Sequence, residues 1–382
     1  MTTLTASISS ERSIAPRLAG LPSAAPMVAA VTMSPEGGGI AAVSRTIWQA
    51  LHEAWPAAEL VTLFPTSAGV HTTRPHFSTQ VRFGMTLLKR QLAREDNWLF
   101  FTHLALGQAQ AFVPPGLRRP YALFLHGIEA WAPLGPAARR VVQEAALLIA
   151  NSHHTATRVR ASTPSVGEIA VCPLALPHDA TLEAVDWSAP RKRMVLMVGR
   201  MLAAERYKGH DQMLEAWVAV NQVMPDARLV IVGGGDDVAR LQQKGRELGI
   251  SDAVTFTGFI SAHARSTFYR DAALFAMPSR GEGFGLVYLE AMAQGLPCIA
   301  SRQDAGQEVV RDGVTGLLVD QDDVPGLSAR LVELLAHPER RHAMGRAGRD
   351  LVEAEYTYDR FASRLLSLVA GARDRLSPGA RR

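Results

Sequence analysis

Short apolar runs alternate with glycine-rich or polar turns and with longer stretches of helical periodicity along most of this sequence. Continuous apolar runs of this kind are typical of parallel strands that are covered on both faces. Strands that alternate with amphipathic helices form parallel sheets with helices on both sides. The predicted strands are Val28–Met33, Glu59–Phe64, Trp98–Thr102, Tyr121–Leu125, Leu147–Ala150, Ile169–Cys172, Met194–Val198, Leu229–Val232, Val254–Thr257, Leu274–Met277, Cys298–Ser301 and Gly316–Val319.

The alternation is interrupted between Pro173 and Pro190, where three prolines and the lack of periodicity predict a linker. A chain of 382 residues is long enough for two buried cores. We therefore predict an α/β protein with two Rossmann-like, doubly wound domains that face a central cleft. The predicted divisions are a disordered N-terminal tail over 1–26, an N-terminal domain over 27–185, a C-terminal domain over 186–355, and a C-terminal helix over 356–382 that crosses back to the N-terminal domain.

Composition and charge narrow the classes of function. The net charge is +4 and the basic residues are spread along the chain, whereas nucleic-acid-binding proteins carry dense basic clusters with interleaved aromatic residues. This mild positive charge is better explained by a partner that is an anionic small molecule or an anionic membrane surface. Two cysteines, Cys172 and Cys298, exclude a disulfide framework and favour a reduced, cytoplasmic location. We expect neither a membrane span nor a signal peptide, because no apolar run is long enough.

Three glycines surround Glu282 directly after the predicted strand Leu274–Met277. Glycine lets the backbone approach a ligand closely, and the helix predicted over Leu286–Ala293 opens at this loop with an N-terminus that favours phosphate. Glu282 in the loop and Glu290 in the helix can both accept hydrogen bonds from the hydroxyls of one ligand. From composition alone, a glycine-rich loop followed by a solvated helical glutamate explains the segment equally well.

A second glycine-rich turn, with Gly38 and Gly39, precedes the helix predicted over Ile40–Leu51. Glycines at a strand-to-helix turn can hold phosphate through backbone N–H groups. A dinucleotide site would also need an acidic residue at the end of the second strand. Glu59 lies at the start of that strand instead, so the sequence disfavours a dehydrogenase.

The spacing Glu282-x7-Glu290, with Gly-Phe-Gly inside it and Ala-Met-Ala-Gln-Gly-Leu-Pro after it, is similar to the signature of retaining glycosyltransferase family 4, the glycosyl transferases group 1. The resemblance covers nearly the whole chain after residue 26. It implies the GT-B fold, with an N-terminal domain on the acceptor side and a C-terminal domain that binds the nucleotide sugar. Further similar segments are Gly199-Arg200, Tyr207–Asp211, Leu229–Gly235, Phe256–Phe259, Asn151-Ser152 and Gly313-x-x-Gly316.

The resemblance implies a role for five residues of this chain. Glu290 would bind the donor ribose, and Glu282 would face the hydroxyls of the donor sugar. Arg200 and Lys208 would hold the diphosphate, where their charges stabilise the negative charge that builds on the leaving phosphate. His126 would contact the transferring sugar. By residue type alone, solvated surface charges are the favoured explanation of the Arg and Lys, and a hydrogen-bonded capping residue is an alternative for the His.

Other expected contacts are less specific. Base recognition in such folds relies on backbone groups, here near Gly235 and Phe259. Glu129 and Trp131 are tentative acceptor-binding residues, or simply loop residues, and Arg206 is a rival of Arg200 for the diphosphate. The full set of expected donor-binding residues is Gly38, Gly39, Arg200, Lys208, Gly235, Phe259, Glu282, Gly283, Phe284, Gly285, Leu286 and Glu290.

Two segments invite a metal-binding interpretation. Asp320-Gln-Asp322 has the DxD pattern that holds a metal in another class of glycosyltransferases, but acidic residues are also common where a helix begins, as one does here. His153 and His154 are adjacent, and adjacent helical residues do not share a face. We therefore predict no metal and no cofactor, with the nucleoside-diphosphate sugar as co-substrate.

The expected function is that of a retaining, metal-independent hexosyltransferase. It would move a hexose from a UDP- or GDP-sugar to a hydroxyl of a sugar or lipid-linked acceptor, in bacterial polysaccharide or glycolipid assembly. Since such enzymes work by positioning and charge stabilisation, no paired catalytic carboxylates are needed. The alternatives are a sugar-nucleotide epimerase or glycoside phosphorylase of similar two-domain fold, and a nucleotide-sugar-binding module without catalysis.

Segment Val81–Arg94 combines helical spacing of the apolar residues Phe83, Leu87, Leu88 and Leu92 with four basic residues. A basic amphipathic helix can lie on an anionic bilayer, which would place the protein on the inner face of the membrane. A helix that packs on the N-terminal sheet with a solvated basic face has the same pattern.

Overall fold

The computed structural model describes residues 20–35, 37–64, 76–93, 97–178, 180 and 182–377. Within these ranges every predicted strand is present, with ends that differ from the prediction by at most three residues. The strands form two six-stranded sheets in which all pairs are parallel. The predicted fold of two doubly wound α/β domains is confirmed.

The N-terminal sheet has the strand order β2-β1-β3-β4-β5-β6. Its six strands are β1 (Pro26–Ala30), β2 (Glu59–Thr62), β3 (Trp98–Phe101), β4 (Tyr121–Leu125), β5 (Leu147–Ala150) and β6 (Ile169–Val171). The helices of this domain are α1 (Gly38–Ala54), α2 (Phe77–Ala93), α3 (Leu104–Gly107), α4 (Ile128–Trp131), α5 (Pro136–Glu144) and α6 (His153–Ser162).

The C-terminal sheet has the strand order β12-β11-β10-β7-β8-β9. Its strands are β7 (Met194–Val198), β8 (Arg228–Val232), β9 (Val254–Phe256), β10 (Leu274–Met277), β11 (Cys298–Ser301) and β12 (Gly316–Val319). The helices that follow β7 are α7 (His210–Val223), α8 (Val238–Glu247), α9 (Ala262–Asp271), α10 (Leu286–Ala293), α11 (Gly306–Val309), α12 (Val324–Ala336), α13 (Pro338–Glu355), α14 (Tyr358–Gly371) and α15 (Arg373–Leu376).

Burial explains why the strands were readable from the sequence. Every residue of β4, β7 and β10 is buried, because helices cover both faces of each sheet. A strand with two covered faces needs apolar side chains at successive positions, and this produces the continuous runs in the sequence.

The last long helix belongs to the C-terminal segment but packs on the N-terminal domain. Phe361 of α14 is fully buried, and the Tyr358 hydroxyl donates to Glu53 Oε2 in α1 at 2.6 Å. The chain therefore crosses back over the cleft after α13 and ties the two domains together.

The predicted disordered tail over 1–26 extends too far. The Trp55 indole donates to the Pro22 carbonyl oxygen at 3.0 Å, and β1 begins at Pro26. The start of the N-terminal domain thus lies before residue 26, because residues preceding the first strand cover the end of α1. Residues 1–19 lie outside the described part of the chain.

In helix α2 the apolar residues that face solvent differ from those in the predicted amphipathic helix. Phe83 and Leu87, which the membrane interpretation would expose, are buried in the core of the N-terminal domain, as the alternative of a helix packed on the sheet predicts. A different apolar stripe faces solvent, formed by Phe77, Val81 and Met85 at intervals of four residues and continued by Leu92. Arg94 lies outside the described residues. No helix in the described ranges combines the length and apolar character that a membrane span requires.

Candidate active site

The carboxyl ends of the two sheets meet at one cleft. Gly283, in the loop after β10, is packed against the loop after β4, so that an added Cβ at Gly283 would lie 1.7 Å from the His126 carbonyl oxygen. The Ser152 hydroxyl, at the end of β5, donates to the Gly283 carbonyl oxygen at 2.7 Å. Open α/β sheets bind ligands at this edge. The predicted site residues His126 and Glu282 are thereby brought together from different domains.

A second contact between the domains involves Glu308 of α11. Its carboxylate accepts hydrogen bonds from the backbone N–H groups of His153, at 2.9 Å, and His154, at 2.5 Å. These groups are the unpaired donors at the N-terminus of α6, where a negative charge is favourable. The adjacent histidines thus take part in the contact between the domains through their backbone. No sequence pattern indicated the role of Glu308.

Asp304 stabilises the loop that carries Glu282 through hydrogen bonds to backbone N–H groups. The two carboxylate oxygens of Asp304 accept from the Glu282 N–H at 2.9 Å and the Gly306 N–H at 2.8 Å, and the Ala305 N–H donates to the Glu282 carbonyl oxygen. Burial raises the pKa of Asp304 to about 7, although these N–H donors favour its ionised form. Sequence reasoning missed Asp304, because an aspartate just beyond a strand looks like an ordinary loop residue.

Lys208 and Glu282 form an ion pair inside the cleft. Lys208 Nζ donates to Glu282 Oε1 at 2.6 Å, and the two side chains are 13% and 16% exposed. Burial disfavours the ammonium charge, but the carboxylate outweighs it, so the pKa of Lys208 is raised above its ordinary value. Lys208 Nζ also lies 5.5 Å from the centre of the Tyr207 ring. The site therefore keeps a fixed, partly desolvated positive charge beside a hydrogen-bond acceptor.

The two candidate arginines differ in their partners. Arg200, 48% exposed, pairs with Glu205 through one nitrogen. Arg206 donates through two nitrogens to the buried Asp237, at 3.0 and 3.2 Å. Since bidentate pairs are the more firmly held, Arg200 is the freer of the two to meet an anion.

Glu290 lies on α10, away from the Lys208–Glu282 pair. Its carboxylate accepts from the Tyr269 hydroxyl at 2.9 Å and lies 3.6 Å from Arg265 Nε. The two glutamates of the signature thus have different partners: Glu282 pairs with Lys208, and Glu290 lies beside Tyr269 and Arg265.

The side chains of Phe284 and Leu286 can make only limited contacts with a bound donor. Phe284 is buried against Tyr356, and Leu286 packs on the core. Gly285 has a positive φ of 96° and begins α10 without a side-chain cap, so backbone N–H groups are left for a ligand. The expected donor contacts of this segment are therefore backbone contacts.

The turn after β8 is also built from close backbone packing. At Gly235, with φ of 155°, an added Cβ would lie 2.0 Å from the Met201 carbonyl oxygen. The exposed Phe259 ring lies over the neighbouring Gly234. In the N-terminal domain, by contrast, added Cβ atoms at Gly38 and Gly39 would meet open space at the start of α1. The turn at Gly38 and Gly39 therefore leaves room for a ligand at the start of α1, whereas the turn after β8 is closely packed.

The two tentative acceptor residues have different environments. Glu129 Oε1 accepts from the His126 N–H at 2.6 Å and so holds the loop after β4. Trp131 is only 9% exposed and packs in the core of the N-terminal domain, with the Arg158 guanidinium 5.2 Å above its ring. This burial within its own domain favours the interpretation of Trp131 as a loop residue over that as an acceptor wall.

Both carboxylates of the DxD segment contact other side chains of the protein. Asp320 Oδ1 accepts from Gln303 Nε2 at 2.8 Å, and Asp322 pairs with Arg280 at 2.8 Å. Among the described residues, no group of three or more His, Cys, Asp or Glu side chains is arranged to hold a metal ion.

Residues 183–351, which form most of the C-terminal domain, match the family model described as glycosyl transferases group 1. Through this domain the chain is similar to the group 1 glycosyltransferases. The resemblance inferred from the Glu282–Glu290 segment is confirmed.

Relatives of known name agree with this assignment. Over 174 residues the chain is 38% identical to a GDP-mannose-dependent alpha-(1-6)-phosphatidylinositol monomannoside mannosyltransferase of Mycolicibacterium smegmatis, covering 44% of this chain and 46% of the relative. Over 169 residues it is 39% identical to a GDP-mannose-dependent monoacylated alpha-(1-6)-phosphatidylinositol monomannoside mannosyltransferase of Corynebacterium glutamicum, covering 42% and 44%. Each match spans less than half of the relative's length.

Solved structures agree with the fold over most of the chain. A sucrose-phosphate synthase of Thermosynechococcus elongatus, 22% identical, superposes with a TM-score of 0.74 and covers 90% of this chain and 98% of its own. The Anabaena protein HepE in complex with UDP, 18% identical, gives a TM-score of 0.67 and covers 90% and 100%. The chain therefore has the two-domain GT-B fold.

Proposed function

We propose that this protein moves a hexose from a nucleoside-diphosphate sugar to an acceptor hydroxyl, with retention of configuration. The observation that supports this most is the Lys208–Glu282 pair at the meeting point of the two sheets. It combines a cation for a diphosphate with a carboxylate for sugar hydroxyls within 2.6 Å of each other. Transfer from a nucleotide sugar requires both in one place.

The proposed chemistry depends on charge and position. As the bond between the hexose and the diphosphate breaks, negative charge grows on the leaving phosphate, and Lys208 and Arg200 stabilise it. Glu282, held by Asp304, orients the hexose through its hydroxyls, and Glu290 binds the ribose. In same-face displacement the leaving phosphate oxygen accepts the proton of the acceptor hydroxyl, so no protein nucleophile is required.

The proposed donor is a UDP- or GDP-hexose. Support for GDP-mannose comes from the printed names of the two mannosyltransferases, and support for UDP from the HepE complex. The proposed acceptor is a sugar or lipid-linked hydroxyl in bacterial glycolipid or polysaccharide assembly, since those mannosyltransferases are named for phosphatidylinositol mannosides.

The experiment that tests this function is a screen of nucleotides followed by turnover. UDP, GDP and ADP are compared by thermal shift, in which the correct base at a hundred times its Kd stabilises the fold by roughly 2.7 kcal/mol. The matching nucleotide sugars are then incubated with and without acceptor. Transfer of the hexose with release of nucleoside diphosphate supports the proposal. Epimerised nucleotide sugar, phosphorolysis, or binding without turnover would each contradict it.

Metal independence is a further part of the proposal, because cationic side chains meet the diphosphate. Activity is expected to survive EDTA at a concentration that strips divalent ions, with kcat unchanged within about twofold, since no metal charge is needed to stabilise the leaving group. Loss of turnover in EDTA with recovery on adding Mn²⁺ would contradict this and would point to Asp320 and Asp322.

We also propose that the protein is cytoplasmic and binds an anionic membrane surface through α2. The exposed stripe of Phe77, Val81 and Met85 is flanked by Arg82 and Lys89, which have no carboxylate partner in the described ranges. Apolar side chains beside basic residues are the features with which a helix lies on an anionic bilayer. This surface differs from the one that the sequence pattern suggested.

Flotation with liposomes tests this surface. The protein is expected to float with anionic vesicles at low salt and to dissociate as salt rises. Reversing Arg82 and Lys89 to Glu should weaken binding at least about tenfold, because each basic residue near such a surface contributes roughly 1 kcal/mol. Reversing the exposed Arg246 and Arg270 in the C-terminal domain is the matched control and should have little effect. Absence of flotation at low salt would indicate a soluble acceptor instead.

A further inference from the structure

Two histidines from neighbouring strands lie side by side at the cleft edge of the N-terminal sheet. His103 follows β3 and His126 follows β4, and their rings are stacked with centres 5.6 Å apart and planes 26° apart. Because β3 and β4 are adjacent parallel strands, their carboxyl ends bring these side chains to the same edge. His103 was not among the residues that the sequence suggested.

The tautomer of His103 is set by its own helix. His103 is the N-cap of α3, and its Nδ1 accepts a hydrogen bond from the Ala105 N–H at 3.1 Å. An accepting nitrogen carries no proton, so the ring proton of neutral His103 is on Nε2. Burial lowers the pKa of His103 to about 4, with the Glu129 charge opposing this and His126 adding to it. At neutral pH the ring is therefore an uncharged donor.

His126 presents the complementary group. Its Nε2 lies 2.6 Å from the Thr102 carbonyl oxygen, which can only accept, so Nε2 carries the proton and Nδ1 is left as an acceptor. Among the described residues His103 Nε2 has no hydrogen-bond partner. The neighbouring rings thus offer one donor and one acceptor, which is the pattern that binds a hydroxyl group.

Position favours the transferred hexose as the ligand. The loop of Glu282 touches the His126 carbonyl oxygen through Gly283, so the loop that carries His126 adjoins the loop of the carboxylate assigned to sugar hydroxyls. A phosphate would suit this place poorly, because the His103 ring is uncharged and the Glu129 carboxylate is close by.

We propose that His103 is a sugar-binding residue whose Nε2–H donates to a hydroxyl oxygen of the hexose being transferred, beside His126. This rests on the proposed function and adds a contact from the N-terminal domain. Loss of one such hydrogen bond should lower turnover of the nucleotide sugar about tenfold.

Two substitutions separate this contact from the role of His103 as a helix cap. In His103→Asn, the amide oxygen can replace Nδ1 as the cap, but the distal donor is lost. In His103→Gln, the amide nitrogen reaches the place of Nε2. We expect kcat/KM to fall about tenfold in His103→Asn and to stay within about threefold of the native value in His103→Gln. The same changes are expected for hexose transfer and for donor hydrolysis without acceptor. Equal values for the two variants, or a loss in transfer alone, would overturn the proposal.

NMR of the histidine ring nitrogens gives a readout that does not need turnover. The His103 Nε2–H signal, identified by its absence from His103→Asn, should shift when UDP-glucose or GDP-mannose saturates the protein and stay in place with UDP or GDP alone. A proton on Nδ1, or no shift with the nucleotide sugar that binds, would overturn the assignment of His103. Absence of transfer by the native protein would instead overturn the proposed function, so the two failures are distinguishable.

Discussion

Replacing Gly283 by alanine is expected to lower kcat/KM for hexose transfer about a hundredfold. The new Cβ would lie 1.7 Å from the His126 carbonyl oxygen and 3.2 Å from Asn151 Nδ2, both in the other domain, whereas real Cβ contacts essentially never fall below 3.0 Å. The backbone of either loop must move by an ångström or more. A misplacement of that size can lower a rate by two orders of magnitude.

The measurements for Gly283→Ala are steady-state kinetics and nucleotide affinity by calorimetry. Because the clash lies between domains, nucleotide affinity should change little while turnover falls. The matched control is Gly245→Ala in α8, where an added Cβ meets nothing within 4 Å and a helical alanine is favourable. Native turnover in Gly283→Ala would mean that the contact between the two loops is not needed for the reaction.

Removing either cation of the proposed diphosphate site, by Lys208→Ala or Arg200→Ala, should lower kcat/KM at least tenfold. Charge-assisted hydrogen bonds contribute about 1.5–3 kcal/mol each, and the contribution is larger where charge builds in the transition state. We expect Lys208→Ala to have the larger effect, because it also leaves the half-enclosed Glu282 carboxylate without its partner. Kinetics with the donor identified by the thermal-shift screen provide the test, and circular dichroism should be unchanged.

Arg206→Ala is the control for this pair, since it removes the same charge from the same segment. Arg206 faces Asp237, which keeps Arg240 as a partner, so kcat/KM should fall by less than about threefold. If Arg206→Ala is the most impaired of the three variants, the diphosphate is held by Arg206 and the assignment to Arg200 is wrong.

The strands were determined by local sequence. A strand covered on both faces needs an unbroken apolar run whatever its neighbours are, so Tyr121–Leu125 and Leu274–Met277 were predicted with the ends that the structure shows. The glycine-rich loop around Glu282 was also visible, because the residue types that let a backbone approach a ligand are few.

Which side chains meet was decided by the tertiary structure. Lys208 and Glu282 are 74 residues apart, and Ser152 and Gly283 are 131 apart, so neither contact has a local pattern. The buried face of α2 could not be predicted from local sequence either, because the helix carries two apolar stripes. Only packing decided that Phe83 faces inward and Met85 outward.

Trp131 and His103 show what local sequence leaves open. An aromatic residue near a predicted site looks like a ligand-binding wall until the fold covers it with its own domain. A histidine after a strand looks ordinary until the strand order places it beside His126. The sequence by itself determined which segments form strands and which loops can approach a ligand, since these depend on each segment's own residues. The order of strands and the closure of one domain on the other decided which side chains share the cleft, because those contacts join residues that are distant in the chain.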